Sequence, residues 1–347
     1  MQTVNPSRKR YRFINTQGFS PTLHLLEQFM RTAGMKRTRW GWRAHFSERN
    51  LHFSDTVCEC LEYKQLLAQL LAKHCPEVMP ETYLLDDYTW TTVLNDIAEK
   101  HYLVKQQLLD TVPDLVWILK PALLNNGQHI KLFQSLSQIE EHMLHPNRLG
   151  GPHVLQRYIT HPDLYEKRKY SLRFFVVVTQ EAGAFLYQQG YLNVALAPYT
   201  SKNFEDLTVH LTNEHLQHDE ISIEQIPTQG QAKAEIWYPQ VRSIVQQVDQ
   251  AIHASFPNAF LPHKERTFAV FGFDFILDAQ GKVWLLEINH GPCFPIEPEH
   301  PLQASLYQSF WQAMINQFVL PIMNVQPLPK HGKYGFEAVR MRDAVFA

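Results

Sequence analysis

Apolar positions recur along the chain with two spacings, one near 3.6 residues and one of two, and these mark its elements. Leu61, Leu66, Leu67, Leu70 and Leu71 predict a helix over Cys60 to His74. Further helices are predicted over Trp90 to Leu109, over Pro239 to Phe256 with the proline tolerable in the first turn, and over Leu302 to Phe318. Strands are predicted over Arg10 to Ile14, Asp114 to Lys120, His153 to Ile159, Lys169 to Thr179 and Phe185 to Gln188. Pro121 ends the second of these, because it has no N–H for a ladder. A hairpin covers Thr267 to Asn289, and Pro76 with Pro80 punctuates the chain before a new segment. No internal repeat, low-complexity stretch or Gly/Ser linker interrupts the pattern. Strands and helices joined by antiparallel hairpins predict an α+β or mixed α/β fold.

Composition adds limits. A length of 347 residues predicts about two domains or three small ones. An apolar share of 45% with 19% charged residues excludes a disordered chain. The net charge of -2 argues against a generally basic nucleic-acid binder and leaves room for a local basic patch. The cluster Arg8, Lys9, Arg10 and Arg12 is read as a solvated strand edge. Apolar runs such as Phe174 to Val178 are far short of the ~18–20 residues of a membrane helix. The basic N-terminus has no apolar core behind it, so it does not read as a signal peptide. Four cysteines form no disulfide framework, and Cys58 and Cys60 lack zinc-knuckle spacing. The expectation is a cytoplasmic protein with neither a nucleic-acid nor a membrane partner.

The hairpin carries the chemistry. Two β-type runs flank Asp278-Ala279-Gln280-Gly281. Pairing symmetric about Gln280 and Gly281 sets Asp274 across from Glu287 and Gly272 across from Asn289, leaving space beside the amide. Asp274, Glu287 and Asn289 then share one face, while Phe271, Phe273, Phe275, Leu286 and Ile288 take the other. Two facing carboxylates would weaken a purely structural sheet. With an amide beside them they suit Mg²⁺, a hard cation that takes few protein oxygens. The alternative is an acidic outer face.

Cations stand at strand spacing elsewhere. Lys120 ends the apolar run Val116 to Leu119, and the loop after it contains one glycine, Gly127. Lys169, Ser171 and Arg173 form a polar strand face that runs into Phe175 and Val177, a plausible wall against an anion. His210, His215 and His218 could be metal ligands, but they lack a soft partner among 18 histidines. A structural or surface role is favoured for the last two.

The order of WILKP, VLQRYI, RKYSLR, FLYQQGYL, APY, HLTN and FGFDF with WLLEIN resembles that of the tubulin–tyrosine ligase-like family, from about Met79 to Pro292. The resemblance implies an ATP-grasp fold. Its parts would be an N-terminal domain (1–78), a central subdomain (79–155), a C-terminal subdomain (156–325) and a tail (326–347). It also implies an ATP- and Mg²⁺-dependent carboxylate–amine ligase that works through an acyl phosphate and adds an amino acid to a protein or peptide acceptor. Tubulin is a possible acceptor but is not assumed. By resemblance, Asp274, Glu287 and Asn289 are the Mg²⁺ ligands. Lys120 and Lys169 contact the nucleotide, and Gln156, Arg157, Tyr158 and Ile159 line the adenine. Arg173 faces the phosphoryl and acceptor groups, Asn213 lies near them, and Lys64 reaches the γ-phosphate.

Three positions depart from the family pattern. Ser171 replaces an aspartate, Asn193 replaces an arginine, and His129 stands where a second glycine is usual. They leave two other readings: a degenerate relative that binds nucleotide or protein, and a ligase of peptide or natural-product synthesis.

Overall fold

The computed structural model describes residues 11–16, 21–102, 115–124, 127–212, 223–261, 263 and 265–339. Three sheets organise them. The smallest is parallel, with β1 (Arg12–Ile14) between β2 (Lys36–Arg37) and β3 (Phe46–Ser47). An antiparallel sheet of four strands follows: β4 (Thr82–Leu85), β5 (Trp117–Pro121), β6 (Lys131–Phe133) and β7 (His153–Arg157), in the order β4-β7-β5-β6.

The third sheet contains β8 (Leu164–Tyr165), β9 (Arg168–Thr179), β10 (Gly183–Pro198), β11 (Glu224–Pro227), β12 (Phe268–Leu277), β13 (Val283–His290) and β14 (Phe336–Ala338). Its spine runs β11-β10-β9-β12-β13, with β8 on β9 and β14 on β10. The architecture is α+β, as the element pattern predicts.

Strand β9 shows how alternation builds the core. Phe174 and Val176 face one way, into a cluster with Val241, Val245 and Ile252 of a long helix. Phe175 and Val177 face the other way, against Phe310, Trp311 and Phe318. Three early helices are α1 (Pro21–Thr32), α2 (Asp55–Glu62) and α3 (Lys64–His74). α1 joins the second cluster through Leu25, Leu26 and Met30, whereas α2 and α3 join the first through Val57, Leu61, Leu67 and Leu71. The four-stranded sheet buries Trp117, Leu119 and Leu155 against α4 (Trp90–Ile97) and α5 (Leu136–Leu144). A short α6 (Leu207–His210) precedes the long α7 (Ala234–Ser255).

Several predicted boundaries move. The single helix over Cys60 to His74 is two helices, because Tyr63 turns to an extended conformation (φ -78°, ψ 117°) between them. Pro239 lies inside α7 rather than in its first turn. The strand expected at Phe185 to Gln188 runs on to Pro198, with irregular pairing that re-aligns it at Gly190. The last helix extends to Met323, partly with wider π-type turns. β7 crosses the 155/156 division, and β14 brings part of the expected tail into the large sheet. Arg8, Lys9, Arg10, residues 103–109, Asp114, Asn213, His215 and His218 lie outside the described residues. Among those described, no helix is long and apolar enough to cross a membrane.

Candidate active site

Four strands of the large sheet set side chains in one row. Tyr191 of β10 is opposite Arg173 of β9, Arg173 is opposite Asp274 of β12, and Asp274 is opposite Glu287 of β13. The expected facing of Asp274 with Glu287, and of Gly272 with Asn289, is present. Its origin differs from simple symmetry. Next to the turn Phe275 pairs with Leu285, and a bulge at Leu286 then restores the Asp274–Glu287 pairing. Leu286 therefore leaves the core face assigned to it and lines the cavity with Ile276.

The cavity, about 340 Å³, lies between this row and the four-stranded sheet. Lys64, Lys120, Gln156, Arg157, Tyr158, Ile159, Lys169, Arg173, Asp274, Glu287 and Asn289 all line it. The structure thus brings together every predicted site residue that it describes. Arg157 is the exposed member of the set. Lys64 reaches the cavity because the chain turns at Tyr63. Its Nζ donates to the Leu124 carbonyl at 2.8 Å and lies 3.9 Å from Glu287 Oε2, so it ties the loop after β5 to the acidic row.

Arg173 grips Asp274 with two bonds, Nε to Oδ1 at 2.5 Å and Nη2 to Oδ2 at 2.6 Å. Asn289 Nδ2 also donates to Asp274 Oδ2, at 2.9 Å. Burial pushes the Asp274 carboxyl up to about 6, and Arg173 limits the rise. Burial would raise Glu287 as well, but Lys64, Lys120 and Arg173 outweigh it and leave its carboxyl below the ordinary range. Adjacent carboxylates with an amide form an oxygen-rich set that could hold a hard divalent cation.

Two lysines of the cavity, Lys120 on β5 of the four-stranded sheet and Lys169 on β9, are buried. Lys120 Nζ donates to Gln156 Oε1 at 2.9 Å, and Gln156 Nε2 donates to Thr82 Oγ1. Lys169 Nζ donates to Tyr158 OH at 2.9 Å and to the His210 carbonyl at 2.8 Å. Burial lowers Lys120 to about 8; burial together with the Lys120 charge lowers Lys169 to about 7. His210 is buried against Tyr158 and the Asn203 carbonyl, a structural place rather than a ligand's. Two expected departures from the family pattern, Ser171 and Asn193, are direct cross-strand partners. Ser171 bonds Thr212, and Asn193 accepts from Gln225. His129 has φ +56°, so the histidine keeps a backbone shape that glycine adopts more easily.

The apolar end of the cavity was missed from sequence. Ile118 and Ile276 stand two residues from Lys120 and Asp274 on the same strand faces, so alternation contained the signal. Ile130 and Leu211 come from loops, where no periodicity points to them.

Gly272 supplies the room that Arg173 fills. A Cβ there would lie 2.9 Å from Nη1 and 3.0 Å from Cδ of Arg173. Gly272→Ala is expected to push the guanidinium off Asp274 and destabilise the chain by about 1–3 kcal/mol. Denaturant titration checks this, and an unchanged midpoint would show that the arginine has another resting place.

The family description "Tubulin-tyrosine ligase family" matches residues 45–328. Among curated proteins, the probable tubulin polyglutamylase TTLL2 of Mus musculus is 29% identical over 64% of this chain and 41% of its own length. The probable tubulin–tyrosine ligase PBY1 of Saccharomyces cerevisiae is 26% identical over 64% of this chain and 36% of its own. Tubulin glycylase 3D of Tetrahymena thermophila is 25% identical over 62% and 22%. The chain spans less than half the length of each of these relatives.

Proposed function

The chain belongs to the tubulin–tyrosine ligase family, and from that premise we propose that it is an ATP- and Mg²⁺-dependent ligase joining a carboxylate to an amine, with an amino acid added to a protein or peptide acceptor. The observation that carries this reading is the convergence of Lys64, Lys120, Arg173, Asp274 and Glu287 on one cavity.

ATP with magnesium supplies activation of the carboxylate as an acyl phosphate, which the amine opens to an amide as phosphate leaves. Asp274, Glu287 and Asn289 would hold the cation. Lys64 and Lys120 present positive charge where phosphoryl oxygens come to lie, and need no reorganisation because both are already anchored. Gln156 to Ile159, with Ile118, Ile276 and Leu286, form the half-apolar pocket for a base. Arg173, fixed by Asp274, faces the reacting end. The buried Lys169 stands beside it on the same strand. The fold that carries these roles is read as ATP-grasp, with the nucleotide between the four-stranded and large sheets.

The Ser171–Asn193 pair bears on the donor. At these two facing positions the family pattern has an acid and a base, so this chain has exchanged both charges together for neutral groups. A group bound beside this pair meets neutral hydrogen-bonding partners there, so the pair bears on which amino acid and acceptor are used. The same exchange favours a second reading, a relative that binds nucleotide without turnover. Phosphate release in a panel of amines and amino acids separates the two.

Calorimetry tests the nucleotide site. Mg²⁺-ATP at 100 times Kd is expected to stabilise the chain by about 2.7 kcal/mol. Lys120 and Lys169 are lowered from 10.5 in the folded chain, so they cost stability when charged, and the empty protein gains stability as pH rises above about 7 to 8. An anionic nucleotide favours their charged forms, so binding at pH 8 should take up protons, read as a buffer-dependent enthalpy. Stabilisation by no nucleotide would overturn the proposal.

A further inference from the structure

Away from the cavity, the turn between β2 and β3 combines exposure, charge and aromatic surface. Trp40 is 60% exposed and Trp42 is 76% exposed, on either side of Gly41 in a single 3-10 turn (Gly41–Arg43). Lys36, Arg37, Arg39 and Arg43 surround them, all exposed. Among the described residues none of these four cations has a carboxylate within ion-pair distance, although the chain as a whole carries net charge -2. Arg37 Nη2 donates to the Asn15 carbonyl at 3.1 Å, and the Arg43 guanidinium lies 4.4 Å from the centre of the Trp42 ring. The nearby acid, Glu48, is buried and occupied by Thr16.

We propose that this turn docks the protein on an anionic lipid surface. Indole rings have an apolar body and a polar N–H, which suits them to the boundary between headgroups and acyl chains. Cations beside them are drawn to phosphate- and carboxylate-bearing headgroups, and their long stems let the charge stay at the surface while the rings enter. Residues 39–43 are all exposed, and a cavity at the base of the turn is lined by Ile14, Asn15, Thr16, Arg37, Thr38 and Arg39. That cavity takes in neither indole ring, which leaves both rings able to enter a soft surface. Buried behind the turn, Phe13, Met35 and Phe46 join the second core cluster, so the wedge is braced on a packed base. The sequence expectation of no membrane partner rested on the lack of an apolar run long enough to span, and peripheral docking by this turn departs from that expectation.

Vesicle flotation of the full chain tests this. Phosphatidylcholine vesicles with about one third phosphatidylserine are expected to carry the protein, and vesicles of phosphatidylcholine alone are not. About 0.5 M salt should release it, since the attraction is screened. Trp40→Ala with Trp42→Ala should cut partitioning about tenfold or more with an unchanged melting temperature, because neither ring is in the core. Arg39→Glu with Arg43→Glu should abolish it. Wild-type protein that stays at the bottom of the gradient would overturn the proposal. So would partitioning that survives loss of both tryptophans. A single-stranded RNA that binds the turn where vesicles do not would assign it to nucleic acid instead.

Discussion

Glu287→Gln is expected to lower ATP-dependent ligation by about 100- to 1,000-fold and to lower the melting temperature modestly, because Lys64, Lys120 and Arg173 lose a counter-charge. The replacement is almost isosteric, and the Glu287 side chain retains 24% exposure, so water can solvate the new amide. Its Lys64 contact, at 3.9 Å, is long, so the stability lost comes from the combined field of three cations and not from one ion pair. What disappears is the charge of the one carboxylate in the row that is not gripped by an arginine, on the side where a cation would bind. Coupled release of phosphate, followed at saturating ATP, measures the effect. Full activity in this variant would refute the metal assignment.

Asp274→Ala should act chiefly on the fold. Arg173 is fastened to Asp274 by two hydrogen bonds in a buried place. Removing the carboxylate strands a guanidinium and is expected to cost about 3–5 kcal/mol. Arg173→Met in the same chain removes the stranded charge and should recover most of that loss, a coupling far from additive. Denaturant unfolding of the two single variants and the double variant reads the cycle directly. Additive costs would mean that the pair is solvated and holds nothing together.

Much of this arrangement was legible beforehand because β-structure alternates. Lys169, Ser171 and Arg173 announce their common face, and Asp274 and Glu287 find each other across a turn whose residues mark it plainly. The four-stranded sheet could be read only in pieces, since its strands are short and its order depends on contacts distant in sequence. The bend at Tyr63 was illegible for another reason. Leucines on both sides of it keep a nearly helical period, and Tyr63 itself is no helix breaker. The extension of β10 was hidden too, because Gly190 and the polar pair before it read as a turn. Resemblance to known sequences found Lys64, Lys120 and the segment from Gln156 to Ile159, which composition and spacing could not rank above ordinary strand ends.

The bulge at Leu286 also constrains how this chain can vary through descent. It is the one extra residue that brings a leucine and a glutamate to the same side of the sheet in succession. Losing Leu286 would leave the carboxylate opposite Asp274 and take an apolar side chain out of the cavity wall, whereas losing Ile288 would turn the Asn289 amide into the phenylalanine-rich core. Gln280, at the exposed tip, faces no such alternation. Length differences among relatives of this chain should therefore accumulate at the tip, and the segment from Glu287 to Asn289 should be inherited at fixed length.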